Sequence, residues 1–133
     1  MSKSAIYVAN TGAQSVAVGG TVALGSIVRR FGCGVDLNGS GITIDEPGYY
    51  DVDISVTGEP TAAGPMIVTL FNNGVAVTGA TATATAAAAN DPVNASFDSV
   101  IRVFCNGNTA SLTVVLTGTA TSVTNVAAVV TKI

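Results

Sequence analysis

Gly48-Tyr49-Tyr50-Asp51-Val52-Asp53-Ile54-Ser55-Val56-Thr57 is the stretch whose reading decides the fold. Tyr50, Val52, Ile54 and Val56 alternate with Tyr49, Asp51, Asp53 and Ser55, so one face of an extended segment is apolar and the other carries acids. A period of two is the signature of a half-buried strand, because successive side chains point to opposite faces of a sheet. Glu46-Pro47-Gly48 just before it is turn chemistry: proline fixes φ and glycine tolerates the bend into the strand. Downstream, Met66 to Phe71 and Val75 to Val77 flank Asn72-Asn73-Gly74. Asn73-Gly74 suits the two positive φ angles of a type I′ hairpin turn.

Working outward, the same grammar recurs. Ile6 to Ala9 reads as a strand closed by Asn10-Thr11-Gly12, and Val16 and Val18 form a short extended piece. Val22 to Val28 reads as one apolar strand ending at Arg29-Arg30-Phe31-Gly32. Val35 to Leu37 and Ile42 to Ile44 flank Asn38-Gly39-Ser40-Gly41. Glu59 to Pro65 is a loop, and Thr81 to Ala89 is a low-complexity strand running into a loop stopped by Asn90-Asp91-Pro92. Val93 to Cys105 is a long strand with Val93, Ala95, Phe97, Ser99, Ile101 and Val103 on one face. Leu112 to Thr117 and the apolar Val123 to Ile133 complete the series. Turn signals at such short intervals, with no βα alternation or linker, predict a single all-β domain over residues 1–133, built as a sandwich or barrel.

Composition agrees. The chain holds 20 Val, 8 Ile and 17 Thr, but only two Glu and two Lys. β-Branched side chains suit a pleated surface, whereas exposed helix faces need long charged ones, so helix should be scarce. Charged residues make up 10% and apolar ones 48% of the 133 residues. A soluble monomer carries about 25% charge, so burial between subunits is expected. Five basic residues and a net charge of −3 leave no nucleic-acid footprint. No apolar run reaches the roughly 20 residues of a membrane helix, so no membrane insertion is expected. Met1-Ser2-Lys3-Ser4 runs straight into a strand without the charged-then-apolar pattern of a signal peptide. The expectation is a chain made in the cytoplasm.

The order Ile42-Thr43-Ile44-Asp45-Glu46-Pro47-Gly48-Tyr49-Tyr50, then Leu70-Phe71-Asn72-Asn73-Gly74-Val75, then the apolar Val126 to Ile133 resembles the complement C1q/tumour-necrosis-factor-like jelly roll. Those three places match its Gly-x-Tyr strand entry, its central Asn-Gly hairpin and its last strand. The resemblance spans about Ala5 to Ile133 and points to the small Ala/Val/Thr-rich bacterial and bacteriophage branch, similar to the heads of collagen-like spore-surface proteins and to phage virion domains. It implies a ten-strand-class antiparallel jelly-roll sandwich and a homotrimer. Val126, Val129 and Val130 would then lie at the trimer core, with the Ala/Thr-rich segment nearby. No Gly-X-Y stalk is present, which favours a phage decoration or fibre-head role on a virion or other extracellular particle surface. The alternative is a receptor- or glycan-binding head of a bacterial spore or cell-surface protein.

Little chemistry is encoded. With no histidine, the usual triads and histidine-bearing zinc motifs are absent, and no cofactor is called for. Gly32-Cys33-Gly34 lacks the Gly-Lys-Ser/Thr ending of a phosphate loop. Cys33 and Cys105 read as free buried thiols, with a bridge between them as the alternative. Asp51 and Asp53 lie about 7 Å apart on one strand face. They read as a solvated face, against a hydrolase pair or a calcium site; Asp45, Glu46 and Asp36 are a second calcium alternative. Arg29, Arg30 and Arg102 stand in otherwise apolar strands. Their similar contexts suggest neighbouring strands, with ion pairing to Asp36 or Asp98 expected and an anion site as the alternative. The sequons at Asn38 and Asn94 read as chance.

Overall fold

The computed structural model describes residues 3–104 and 109–133. Among these, eleven strands and no helix form two antiparallel sheets packed face to face. The strands are β1 (Ala5–Asn10), β2 (Gln14–Val16), β3 (Ser26–Phe31), β4 (Val35–Asn38), β5 (Gly41–Ile44), β6 (Gly48–Pro60), β7 (Gly64–Asn72), β8 (Val75–Ala86), β9 (Val93–Val103), β10 (Ala110–Gly118) and β11 (Thr121–Lys132). One sheet has the order β3-β1-β11-β6-β9, with the three-residue β2 added alongside β11; the other runs β4-β5-β10-β7-β8. The short β2 falls on the extended piece expected at Val16 and Val18, and it ends at Val16, before Val18.

The decisive alternation holds. Tyr50, Val52, Ile54 and Val56 all turn into the sandwich, as do Ala95, Ile101 and Val103 on β9. Facing them from the second sheet are Met66, Val68, Leu70, Leu112, Val114 and Leu116. Each such side chain, fully buried, stabilises the fold by about 1.5–3 kcal/mol. Asn73 and Gly74 have φ of 52° and 82°, so the β7–β8 hairpin turns as expected. On β8 the alanines Ala80, Ala82, Ala84 and Ala86 face inward while Thr81, Thr83 and Thr85 face solvent.

One expected strand is broken. Val22 to Val28 is not continuous: Thr21 bridges to Val115, and Val22 N donates to Val114 O at 2.8 Å, in the second sheet. Gly25, at φ +84°, then swings the chain onto β1 as β3. A Cβ there would collide with Ala9 O, so glycine suits this crossing. Gln14 holds the crossing segment with its side chain, donating to Ala23 O and accepting from Ala23 N, both at 2.9 Å.

A second correction concerns β11. Its pairing with β6 slips by one residue between Val123 and Asn125. Val123 points inward, and beyond the slip Val126, Ala128 and Val130 do so instead, all fully buried. Val126 and Val130 therefore belong to the core of their own chain, not to an axis between chains. Val129 alone of the three expected axis residues lies on the outer face, half-buried.

Candidate interaction face

The outer face of the six-stranded sheet is assembled in rows across the strands, because residues paired in register project to the same side. One row runs Arg29, Tyr7, Val129, Asp53, Asp98 across β3, β1, β11, β6 and β9. The next runs Phe31, Ala5, Thr131, Asp51, Val100. At the β9 corner Tyr49 pairs with Arg102. Several of these are large apolar groups left in solvent: Phe31 is 59% exposed, Tyr49 53% and Val100 57%.

Asp51, Asp53 and Asp98 place one carboxylate oxygen each within 4.8 Å of one another. Asp51 and Asp53 were legible on the strand. Asp98 comes from β9, opposite Asp53, and the outward phase of that strand was the available signal. A proton-requiring hydrogen bond to Asp98, then partial burial, then the charges of Asp98 and Asp53 push the Asp51 carboxyl up to about 6. Burial first, and then Asp98, raise Asp53 as well. Beside them a shallow depression of roughly 500 Å³ is lined by Asp53, Ser55, Ser96, Asp98, Ala127 and Val129. Three carboxylates so placed can hold protons, a hard cation or a basic side chain. As a hydrolytic pair they lie on a sheet face with no cleft to enclose a substrate.

The three arginines are not brought together. Strands β1, β11 and β6 separate β3 from β9, so the expectation of neighbouring strands fails, and with it a shared anion site. Arg30 bridges the two sheets at their open edge, its Nη1 2.7 Å from Asp36 Oδ1, as an exposed pair worth under about 1 kcal/mol. Arg102 lies with Cζ 4.4 Å from the Phe104 ring centroid and 5.6 Å from that of Tyr49, in cation–π contact with both. Arg29 makes no ion pair among the described residues.

The loop calcium alternative does not form. Asp36 is taken by Arg30, and Glu46 receives Lys132 at 3.0 Å. Cys33 is exposed rather than buried, because the Gly32-Cys33-Gly34 bend carries it around the end of the sandwich. Cys105, and with it the alternative bridge, lies outside the described residues.

No family model matches the chain, and no curated protein does. Solved structures do. Murine APRIL superposes with a TM-score of 0.71 at 14% identity, covering 99% of this chain and 100% of its own. The globular domain of zebrafish complement 1qA gives 0.68 at 10% identity, with 97% and 94% covered. The vertex protein P5 of phage PRD1 gives 0.61 at 13% identity, with 98% and 96% covered. Agreement over nearly the whole of each chain, at identities that carry no shared site, concerns the path of the backbone. Two five-to-six-stranded sheets, the Asn73-Gly74 hairpin and a last strand placed centrally in one sheet make this chain a C1q/TNF-like jelly roll.

Proposed function

We propose that this protein is a non-enzymatic structural and attachment module, assembling as a compact homotrimer through the outer face of the six-stranded sheet. Its place is a virion or other extracellular particle surface, with a phage capsid decoration or fibre-head role preferred. One observation carries the self-association: apolar surface is sorted between the sheets. Among the described residues ten large apolar side chains stay exposed; Tyr7, Phe31, Tyr49 and Val100 lie on the outer face of the six-stranded sheet, Ile27 and Val28 at its β3 edge, and Val75 alone on a strand of the other sheet. A chain with 10% charged residues has few means of keeping such a face soluble other than covering it.

Likeness to a phage vertex protein supports the particle setting. The partners of this reading are the chain itself and a capsid or fibre component, without nucleic acid. Light scattering at micromolar concentration is expected to give the mass of three chains; the mass of one chain would refute it. Purified protein is expected to bind its particle stoichiometrically. Binding to host cells or glycans without particle binding would replace that role with a receptor- or glycan-binding head.

A further inference from the structure

Charge on this face is largely sorted as well: the acids gather on β6 and β9, where Arg102 is held by ring faces at the corner. Arg29 stands at the β3 edge, with Lys3 just ahead of β1 on the same half of the sheet. Asp51, Asp53 and Asp98 occupy β6 and β9 on the other half. Three strand spacings separate Arg29 from Asp53, and four separate it from Asp98, which is about 14 and 19 Å. Those distances exceed both hydrogen-bond reach and the Debye length of about 8 Å at physiological salt. Within one chain the guanidinium and the carboxylates cannot meet.

Nor do the other bases serve the acids. Arg30 is committed to Asp36 and Lys132 to Glu46, while Arg102 stacks on Tyr49 and Phe104 at the corner. Three carboxylates thus crowd together on β6 and β9 with no ion pair to a cation of their own chain among the described residues, the one base on those strands, Arg102, being held on ring faces at the corner, and they lie on the apolar face that the trimer reading covers. We infer that copies of this chain join by a head-to-tail contact in which the β3 edge of one, through Arg29 and Phe31, docks on the Asp51–Asp53–Asp98 patch and Val100 of the next. The inference rests on the self-association proposed above and names its occupant, a second copy. A contact between two different patches of one surface closes into a ring when the rotation between copies allows it, and a threefold ring uses each patch once per chain. Charge complementarity then fixes which edge meets which face. Phe31 and Val100, at opposite ends of one row, supply apolar contact beside the ion pairs.

The test uses the full chain and sedimentation velocity over a dilution series. Arg29→Glu puts a fourth acid against the patch, and Asp53→Lys with Asp98→Lys turns the patch net positive toward Arg29. Each is expected to raise the concentration of half-dissociation by about ten- to a hundredfold, the range of a charge-assisted hydrogen bond lost. Combining Arg29→Glu with both lysines is expected to return it to within about threefold of the parent, a rescue that residues ~19 Å apart can give only between chains. An oligomeric parent indifferent to Arg29→Glu, or a combined variant no better than its components, overturns the pairing and leaves self-association standing. Dissociation by a chelator in a chain indifferent to Arg29→Glu shows a metal in the patch and overturns it too. A monomeric parent overturns both proposals. A dimeric parent with full rescue overturns the head-to-tail arrangement and the trimer, because a closed pair joins the two patches across a two-fold axis.

Discussion

Replacing Val130 by alanine and, separately, Val129 by alanine separates the two faces of one strand. Val130 is fully enclosed between the sheets. Its truncation removes two methyl groups, about 1.6 kcal/mol of transfer energy, and leaves a void that adds about 1 kcal/mol more. A domain of 133 residues unfolds with an entropy of roughly 0.28 kcal/mol/K at about 2.1 cal/mol/K per residue, so Val130→Ala should lower Tm by about 9 °C. Val129 lies on the outer face, so its truncation should cost the isolated chain under about 1 kcal/mol and act mainly on assembly. Thermal unfolding at concentrations below dissociation, with sedimentation above it, measures both effects. Equal losses of Tm for the two variants at low concentration would refute the assignment of faces. So would a Val130→Ala chain that dissociates without losing Tm.

Other expectations rest on single contacts. The folded chain holds the Asp51 proton more tightly than the unfolded one, from the ordinary 3.8 up to about 6. That contribution to the dissociated chain's stability is complete below about pH 4 and is lost as pH rises through 6. The difference in urea midpoint between parent and Asp51→Asn should therefore fall over that window; a rising difference contradicts it. Gln14→Glu removes the amide donor to Ala23 O and sets a carboxylate against that carbonyl, which should cost about 1–3 kcal/mol in urea unfolding at pH 7; no loss would show that the paired bonds do not hold the crossing. Gly25→Ala, forced to φ +84° with its Cβ against Ala9 O, should cost at least about 2 kcal/mol, and an unchanged Tm would show that the backbone there shifts freely.

The fold was legible where one phase persisted. Tyr50 to Val56 and Ala95 to Val103 keep a strict period of two, and both faces came out as read. It was not legible where the backbone slips. Val123, Val126, Val129 and Val130 offer valines of both parities, and only the bulge at Thr124, which leaves no mark in composition, decides which of them turn inward. Val22 to Val28 looked like one strand because apolar content hides the change of sheet at Gly25. The acidic patch was two-thirds visible, since Asp98 joins it through a pairing between strands 45 residues apart at Asp53. Periodicity along a chain says which way a side chain faces, not which strand will lie beside it.

The placement of β11 has a consequence for the order of events during synthesis. The strands β1 and β6 do not touch as neighbours; β1 pairs with β3 and β6 with β9, and only β11 closes the row between these two pairs. Until those dozen residues have left the ribosome, the nascent six-stranded sheet exists as two fragments, β3 with β1 and β6 with β9, each with an unpaired edge and bare valines. Folding that waits for such distant pairing is intrinsically slow and exposes aggregation-prone surface meanwhile. Closure also brings Lys132 N to Ser4 O at 2.9 Å. Anything fused at either end of the domain thus departs from the same pole of the sandwich, leaving the opposite pole, with the 61–63 and 119–120 turns, clear.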